Sequence, residues 1–127
     1  MSTPDNRQPH PATAGGERGA YYVVTYRWDP ASEPRLRTVY PSHRAHVDQL
    51  GAAGGLWLTG VLTDLVPEHS GEPRARTAVA AQVPHGALAV FRDRATAERF
   101  IHDDPYVDHG LITISAVQIW QPLIYPL

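Results

Sequence analysis

The residues of this chain best suited to chemistry are a histidine and a carboxylate, His43 and Asp104. A histidine gives and takes protons near neutral pH, and a carboxylate beside it orients the ring and stabilises its charged form. Asp104 lies in the stretch His102-Asp103-Asp104-Pro105-Tyr106, at the end of an amphipathic segment. Pro105 lacks an amide hydrogen and pushes the preceding residue out of the α region, so the helix is expected to stop at Asp104. A helix C-terminus carries partial negative charge, which makes that an awkward position for an anion without a partner. The partner of the right type is His43. The chemistry open to such a pair is general acid–base proton transfer.

Other residues compete for roles around it. Arg27, at the end of a central strand, is a candidate for meeting an anionic ligand, while Trp57 and Tyr106 adjoin the expected pocket as candidate substrate contacts. His43 and His46 form an H-x-x-H pair about 60° apart around a helix, and His102, Asp103, Asp104 and His109 are further candidate metal ligands. A metal needs three or four converging ligands, and neither cysteine nor H-E-x-x-H spacing is present, so no metal site is expected. Ser42 adjoins His43 in sequence and points another way, which disfavours a Ser–His nucleophile.

Composition narrows the chemistry further. All eleven basic residues are Arg, so the chain has no lysine amine for Schiff-base or pyridoxal chemistry. There is no cysteine, which removes thiol catalysis, disulfides and iron–sulfur clusters, and no glycine-rich phosphate loop or dinucleotide fingerprint. No cofactor is expected. The net charge of -2 gives no electrostatic case for nucleic acid or an anionic membrane. No apolar run approaches a membrane span and Met1 to Gly19 has no signal-peptide core, so a cytoplasmic location is expected.

The elements that must position the pair follow from periodicity. Residues 1–19 lack it and read as a disordered tail, leaving 20–127 as a single domain. Tyr21 to Trp28 is aromatic and β-branched and reads as a central strand, with Tyr22, Val24, Tyr26 and Trp28 sharing one face. Leu36, Val39, His43, Val47 and Leu50 form one helical stripe within 34–54, so His43 points inward. Pro41 predicts a break near Tyr40, with His43 close to a fresh helix start. Leu56 to Leu62 reads as a strand, 64–76 as a surface loop, Thr77 to Val83 as a short hairpin extension, and Ala87 to Phe91 as a third strand. Asp93 is an N-cap for a second helix with Ala97, Phe100 and Ile101 on its buried face, and Leu111 to Trp120 is the last strand.

The order β-α-β-β-α-β is the α+β, ferredoxin-like plan: one antiparallel sheet with two helices on one face. It leaves the other face of the sheet bare. That face, together with the apolar tail Leu123-Ile124-Tyr125, predicts a homodimer.

Four motifs in this order resemble the YciI-like (YCII-related) family of the dimeric α+β barrel superfamily. They are Tyr22-Val23-Val24, Tyr40-Pro41-Ser42-His43, Gly55-Leu56-Trp57-Leu58-Thr59-Gly60 and Asp104-Pro105-Tyr106-Val107, and they span residues 21 to about 121. The resemblance implies a ferredoxin-like fold of the dimeric α+β barrel type. By position it implies a His–Asp active-site pair at His43 and Asp104. The chemistry it implies is elimination of HCl from a chlorinated hydroquinone, a lyase reaction. Relatives across the superfamily isomerise lactones, cyclise polyketides or oxidise aromatic rings without a cofactor. This chain has Tyr40 where the family commonly has a basic residue, and Val61 where it commonly has Pro. Two classes of function are thereby expected. One is a cofactor-independent lyase, isomerase/cyclase or monooxygenase acting on a small cyclic or aromatic substrate. The other is a non-catalytic dimeric binding or accessory domain in which the pair is structural.

Overall fold

Four segments rich in apolar residues become the strands of one sheet. The computed structural model of the 127-residue chain describes residues 8–11, 16–64 and 85–126. After a two-residue strand, β1 (His10–Pro11), come β2 (Tyr21–Arg27), α1 (Glu33–Ala52), β3 (Leu56–Leu62) and β4 (Gly86–Phe91). Then follow α2 (Arg94–Asp103), a short helix α3 (Pro105–Asp108), β5 (Thr113–Trp120) and β6 (Leu123–Ile124). The four-stranded sheet has the order β3-β4-β2-β5, and every neighbouring pair is antiparallel. With both main helices packed on one face, this is the ferredoxin-like α+β fold that the element order predicts.

Strand β2 is central, and its alternation separates two cores. Val24 and Tyr26 face the helices and join Leu50 of α1, Leu56 of β3, Phe91 of β4 and Phe100 of α2 in the main core. Burying each such side chain is worth about 1.5–3 kcal/mol relative to exposure. A second, smaller cluster of Leu36, Tyr106 and Leu111 ties α1 to α3 and to the approach of β5. On the opposite face Tyr21, Val23 and Val90 are buried with Trp57 and Leu88 packed against them. That face is therefore not bare. Trp57 occupies a bulge where the register steps from Leu56↔Phe91 to Leu58↔Val90, and its ring stacks on Tyr21 at 4.7 Å. The bend at Gly16 also lies close to the Tyr21 ring, where an added Cβ would come within 3.0 Å.

The link from α1 to β3 is the other fixed point. Gly54 takes φ +88°, the left-handed conformation that ends a helix and that side chains rarely adopt. At Gly55 an added Cβ would overlap the Thr96 side chain, so helix α2 comes this close only because the residue is glycine. Thr96 is held there by Asp93, the N-cap, which accepts from its amide at 2.7 Å.

Several expectations change. Helix α1 runs unbroken through Pro41, and His43 sits mid-helix, not near a helix start. Leu36 before the proline and His43 and Leu50 after it are all buried on one side, seven residues apart. That shared burial holds both halves in one helix despite the lost hydrogen bond. Parts of the stretch expected as a tail belong to the fold: His10–Pro11 pair with β6, and Glu17 bonds the Arg92 carbonyl at 2.8 Å. The expected hairpin extension and nearly all of the 64–76 loop lie outside the described residues. No helix among the described residues is long and apolar enough to cross a membrane.

Proline inside a helix costs about 3 kcal/mol against alanine, offset by about 1 kcal/mol for restricting the unfolded chain. Pro41→Ala is expected to stabilise the protein by about 1–2 kcal/mol in urea melts. A loss of stability would show that the proline ring itself supports α1.

Candidate active site

The site begins at the α2–α3 corner. Pro105 stops α2, and Asp104 turns extended (φ -64°, ψ 134°) while its amide still closes the last turn on the Phe100 carbonyl at 3.2 Å. The chain then starts a new helix at once. Asp104 is its N-cap, with Oδ2 accepting from the Tyr106 amide at 3.0 Å. The carboxylate thus stands at the start of one helix as well as the end of another, which corrects the reading of Asp104 as an anion stranded at a C-terminus. An N-cap carboxylate is favourable.

Asp104 is fully buried, so it needs further partners. His43 supplies the principal one, with Nδ1 2.9 Å from each carboxylate oxygen. The expected pair is therefore brought together. His46, one turn further along α1, places its own Nδ1 3.2 Å from Oδ1. The sequence reading weighed His46 only as a metal ligand. Among the described residues no group of three or more His, Asp or Glu is placed to hold a metal ion.

The His43 ring is fixed on its faces too. Tyr106 stacks on it nearly parallel, 3.9 Å between centroids and 9° between planes, and Phe100 meets it edge-on at 6.4 Å. The Tyr106 hydroxyl donates to the Leu36 carbonyl at 3.4 Å, anchoring that stack to α1. His43 Nε2 has no hydrogen bond among the described residues. Since no buried side-chain nitrogen or oxygen there lacks a partner, Nε2 is the ring's open atom.

That open side meets a cavity of about 850 Å³ between α1 and strands β2 and β3, within the size range of small-molecule sites. Its walls are largely aromatic and aliphatic, with Tyr26, Trp28, Leu36, Tyr40 and Val61 among them. His43 and Tyr106 border it directly, while Asp104 stands behind His43 and does not. Trp57 borders the cavity, although its ring is engaged by Tyr21 and by Arg92, 6.0 Å away. Arg27 is not brought to this site. It is exposed, shares the sheet face of Tyr21 and Val23, and edges a separate cleft of about 290 Å³.

Two phenols beside the site hold their protons tightly. Burial, then the Asp104 charge, pushes the Tyr106 hydroxyl up to about 12. The same causes in the same order raise Tyr26 well above the ordinary tyrosine range. Tyr26 and Tyr40 were not singled out from sequence as cavity residues, although Tyr26 shares the strand parity of Val24.

The profile of the YCII-related domain matches residues 20–121. The chain belongs to that family. No curated protein matches it. A solved structure similar in fold is 5-chloro-2-hydroxyhydroquinone dehydrochlorinase from Burkholderia phenoliruptrix AC1100, in complex with 2,5-dihydroxybenzoquinone. It is 15% identical over 79% of this chain and 90% of that one, with a TM-score of 0.51. At that identity the likeness is one of fold.

The Tyr106 shift carries a prediction for alkaline stability. The unfolded phenol ionises near pH 10 and the folded one near 12, so the two states bind protons equally below about pH 10. Above it the unfolded chain loses its proton first, and stability falls until the folded phenol ionises as well. Between about pH 9 and about pH 11 the wild type should lose more stability than Tyr106→Phe in chemical denaturation. Equal losses would contradict this.

Proposed function

We propose that this protein is a cofactor-independent acid–base enzyme acting on a small cyclic or aromatic molecule, with elimination as the reaction. The observation that carries the reading is the His43 ring. Its Nδ1 is tied to both oxygens of a fully buried carboxylate, and its Nε2 is open to an aromatic-walled cavity. A carboxylate is an acceptor when ionised, so His43 donates from Nδ1, and the Nε2 lone pair is the base.

In this scheme the ring compound reacts as its keto tautomer, with the halogen on a saturated ring carbon, and Nε2 takes a proton from a ring hydroxyl. The electron pair left behind moves into the ring system, and the carbon–halogen bond breaks with its electrons leaving on halide, so that HX is lost in total. Asp104 stabilises the imidazolium formed in the first step. The Tyr26 and Tyr106 hydroxyls remain protonated at neutral pH, and the Tyr106 proton is committed to the Leu36 carbonyl. The dehydrochlorinase that shares this fold, with a dihydroxybenzoquinone bound, supports a hydroxylated six-membered ring as the substrate class. Trp57 and Tyr106 would contact that ring. Arg27 has no part in the scheme. The exposed strip of Val117, Ile119, Leu123, Ile124 and Tyr125 supports a homodimer, with a second copy covering it.

A structural reading also has a specific observation behind it. Asp104 accepts from α1 and from α3 together, so the same contacts could serve only to clasp the helices. The two readings separate in one set of variants. Chloride release from chlorinated hydroxyhydroquinones should fall by about 10²–10⁴-fold in His43→Ala and in Asp104→Asn, with the folded state retained in both. A folded His43→Ala protein with wild-type turnover would end the acid–base reading. A His43→Ala protein that merely melts earlier would favour the clasp.

A further inference from the structure

Among the described residues, His46 is the titratable side chain on the buried carboxylate that the proton transfer leaves without a role. Its Nδ1 lies 3.2 Å from Asp104 Oδ1, the oxygen that His43 Nδ1 also contacts at 2.9 Å. The His46 side chain is only 15% exposed, and it does not border the cavity. A substrate in the cavity would therefore not touch it. Any influence it has on chemistry must pass through Asp104.

The contacts around the carboxylate say what that influence is. His43 Nδ1 is equidistant from Oδ1 and Oδ2, at 2.9 Å, so it lies in the plane that bisects the group and favours neither oxygen. Rotation of the side chain about its Cα–Cβ bond would break that symmetry and swing one oxygen away. Two groups resist the rotation, one on each oxygen: His46 on Oδ1 and the Tyr106 amide on Oδ2. Because an ionised carboxylate only accepts, His46 must present Nδ1–H to it. Without His46, Oδ1 is held by nothing except His43 itself, and the restraint becomes one-sided.

We propose that His46 is a positioning residue that donates from Nδ1 to Asp104 Oδ1 and, with the Tyr106 amide, fixes the carboxylate that aligns His43. Its effect on turnover rests on the acid–base reading above. Its effect on the resting His43 ring does not.

Two substitutions test it. His46→Leu keeps an apolar body on α1 and removes the donor, whereas His46→Asn keeps an amide N–H near the position of Nδ1. In the free protein, proton NMR should show a sharp, exchange-protected His43 Nδ1–H signal in the wild type and in His46→Asn, and a broadened or lost one in His46→Leu. With a turned-over ring substrate, His46→Leu should lower kcat about tenfold while KM stays within about twofold, and His46→Asn should recover most of the loss. A merely space-filling role would give the opposite order, with leucine tolerated and asparagine not. An unaltered His43 signal in folded His46→Leu overturns the proposal whatever the kinetics. If the wild type turns over no ring substrate, the acid–base reading fails, and the NMR signal alone decides the role of His46.

Discussion

The structure around the cavity depends on one buried negative charge. Taking a carboxylate out of water is costly unless each oxygen finds donors, and Asp104 is completely enclosed. Its donors come from two elements distant in sequence, α1 through His43 and His46 and α3 through the Tyr106 amide. The requirement therefore does two things at once. It docks the α2–α3 corner against the middle of α1, and an ionised carboxylate there calls for the proton of the His43 imidazole on Nδ1. The stacked Tyr106 ring removes the remaining freedom by covering one face of the imidazole.

The sheet supplies what the helices cannot, an opening opposite the imidazole. Helix α1 lies against β3 while α2 lies against β2 and β4. The close approach of α2 at Gly55, and the bulge that turns Trp57 toward Tyr21, shape the end of the sheet beside the cavity. The result is a largely apolar pocket whose lining also includes the charged residues Glu33, Arg37, Arg44 and Asp48 of α1. In such a setting a fixed imidazole–carboxylate pair exerts more electrostatic influence than it would in water. Membership of the YCII-related family accounts for the scaffold. What the scaffold does is an argument from the site, since one fold of this kind hosts many chemistries.

Much of this was legible in the sequence, and for local reasons. The strand parity of Tyr22, Val24 and Tyr26 and the heptad-like stripe through Leu36, His43 and Leu50 identify the buried faces before any coordinates, and the stripe puts His43 on the inside. The Asp-Pro corner marks Asp104 as a residue whose carboxylate needs a partner. The misses arose where long-range packing overrides a local rule. Pro41 is a strong helix breaker by itself, yet burial on either side of it keeps α1 whole. Pro105 ends one helix but also suits the first position of the next, and the sequence reading used only the first half of that rule. His46 was visible three residues after His43, but its partner could be recognised only once Asp104 was seen to accept from both rings. Arg27 lies on the wrong face by the same parity that identifies Tyr26, so its position could have been excluded from sequence.

The central claim is that Asp104 holds His43 with the proton on Nδ1 and the Nε2 lone pair toward the cavity. Long-range proton–nitrogen-15 correlation of the neutral His43 ring reads this tautomer directly. The account predicts the Nδ1–H form in the wild type and a shift toward the Nε2–H form in Asp104→Asn, whose amide can donate to Nδ1. A wild-type ring in the Nε2–H form would contradict the account, because the atom required as the base would already carry its proton.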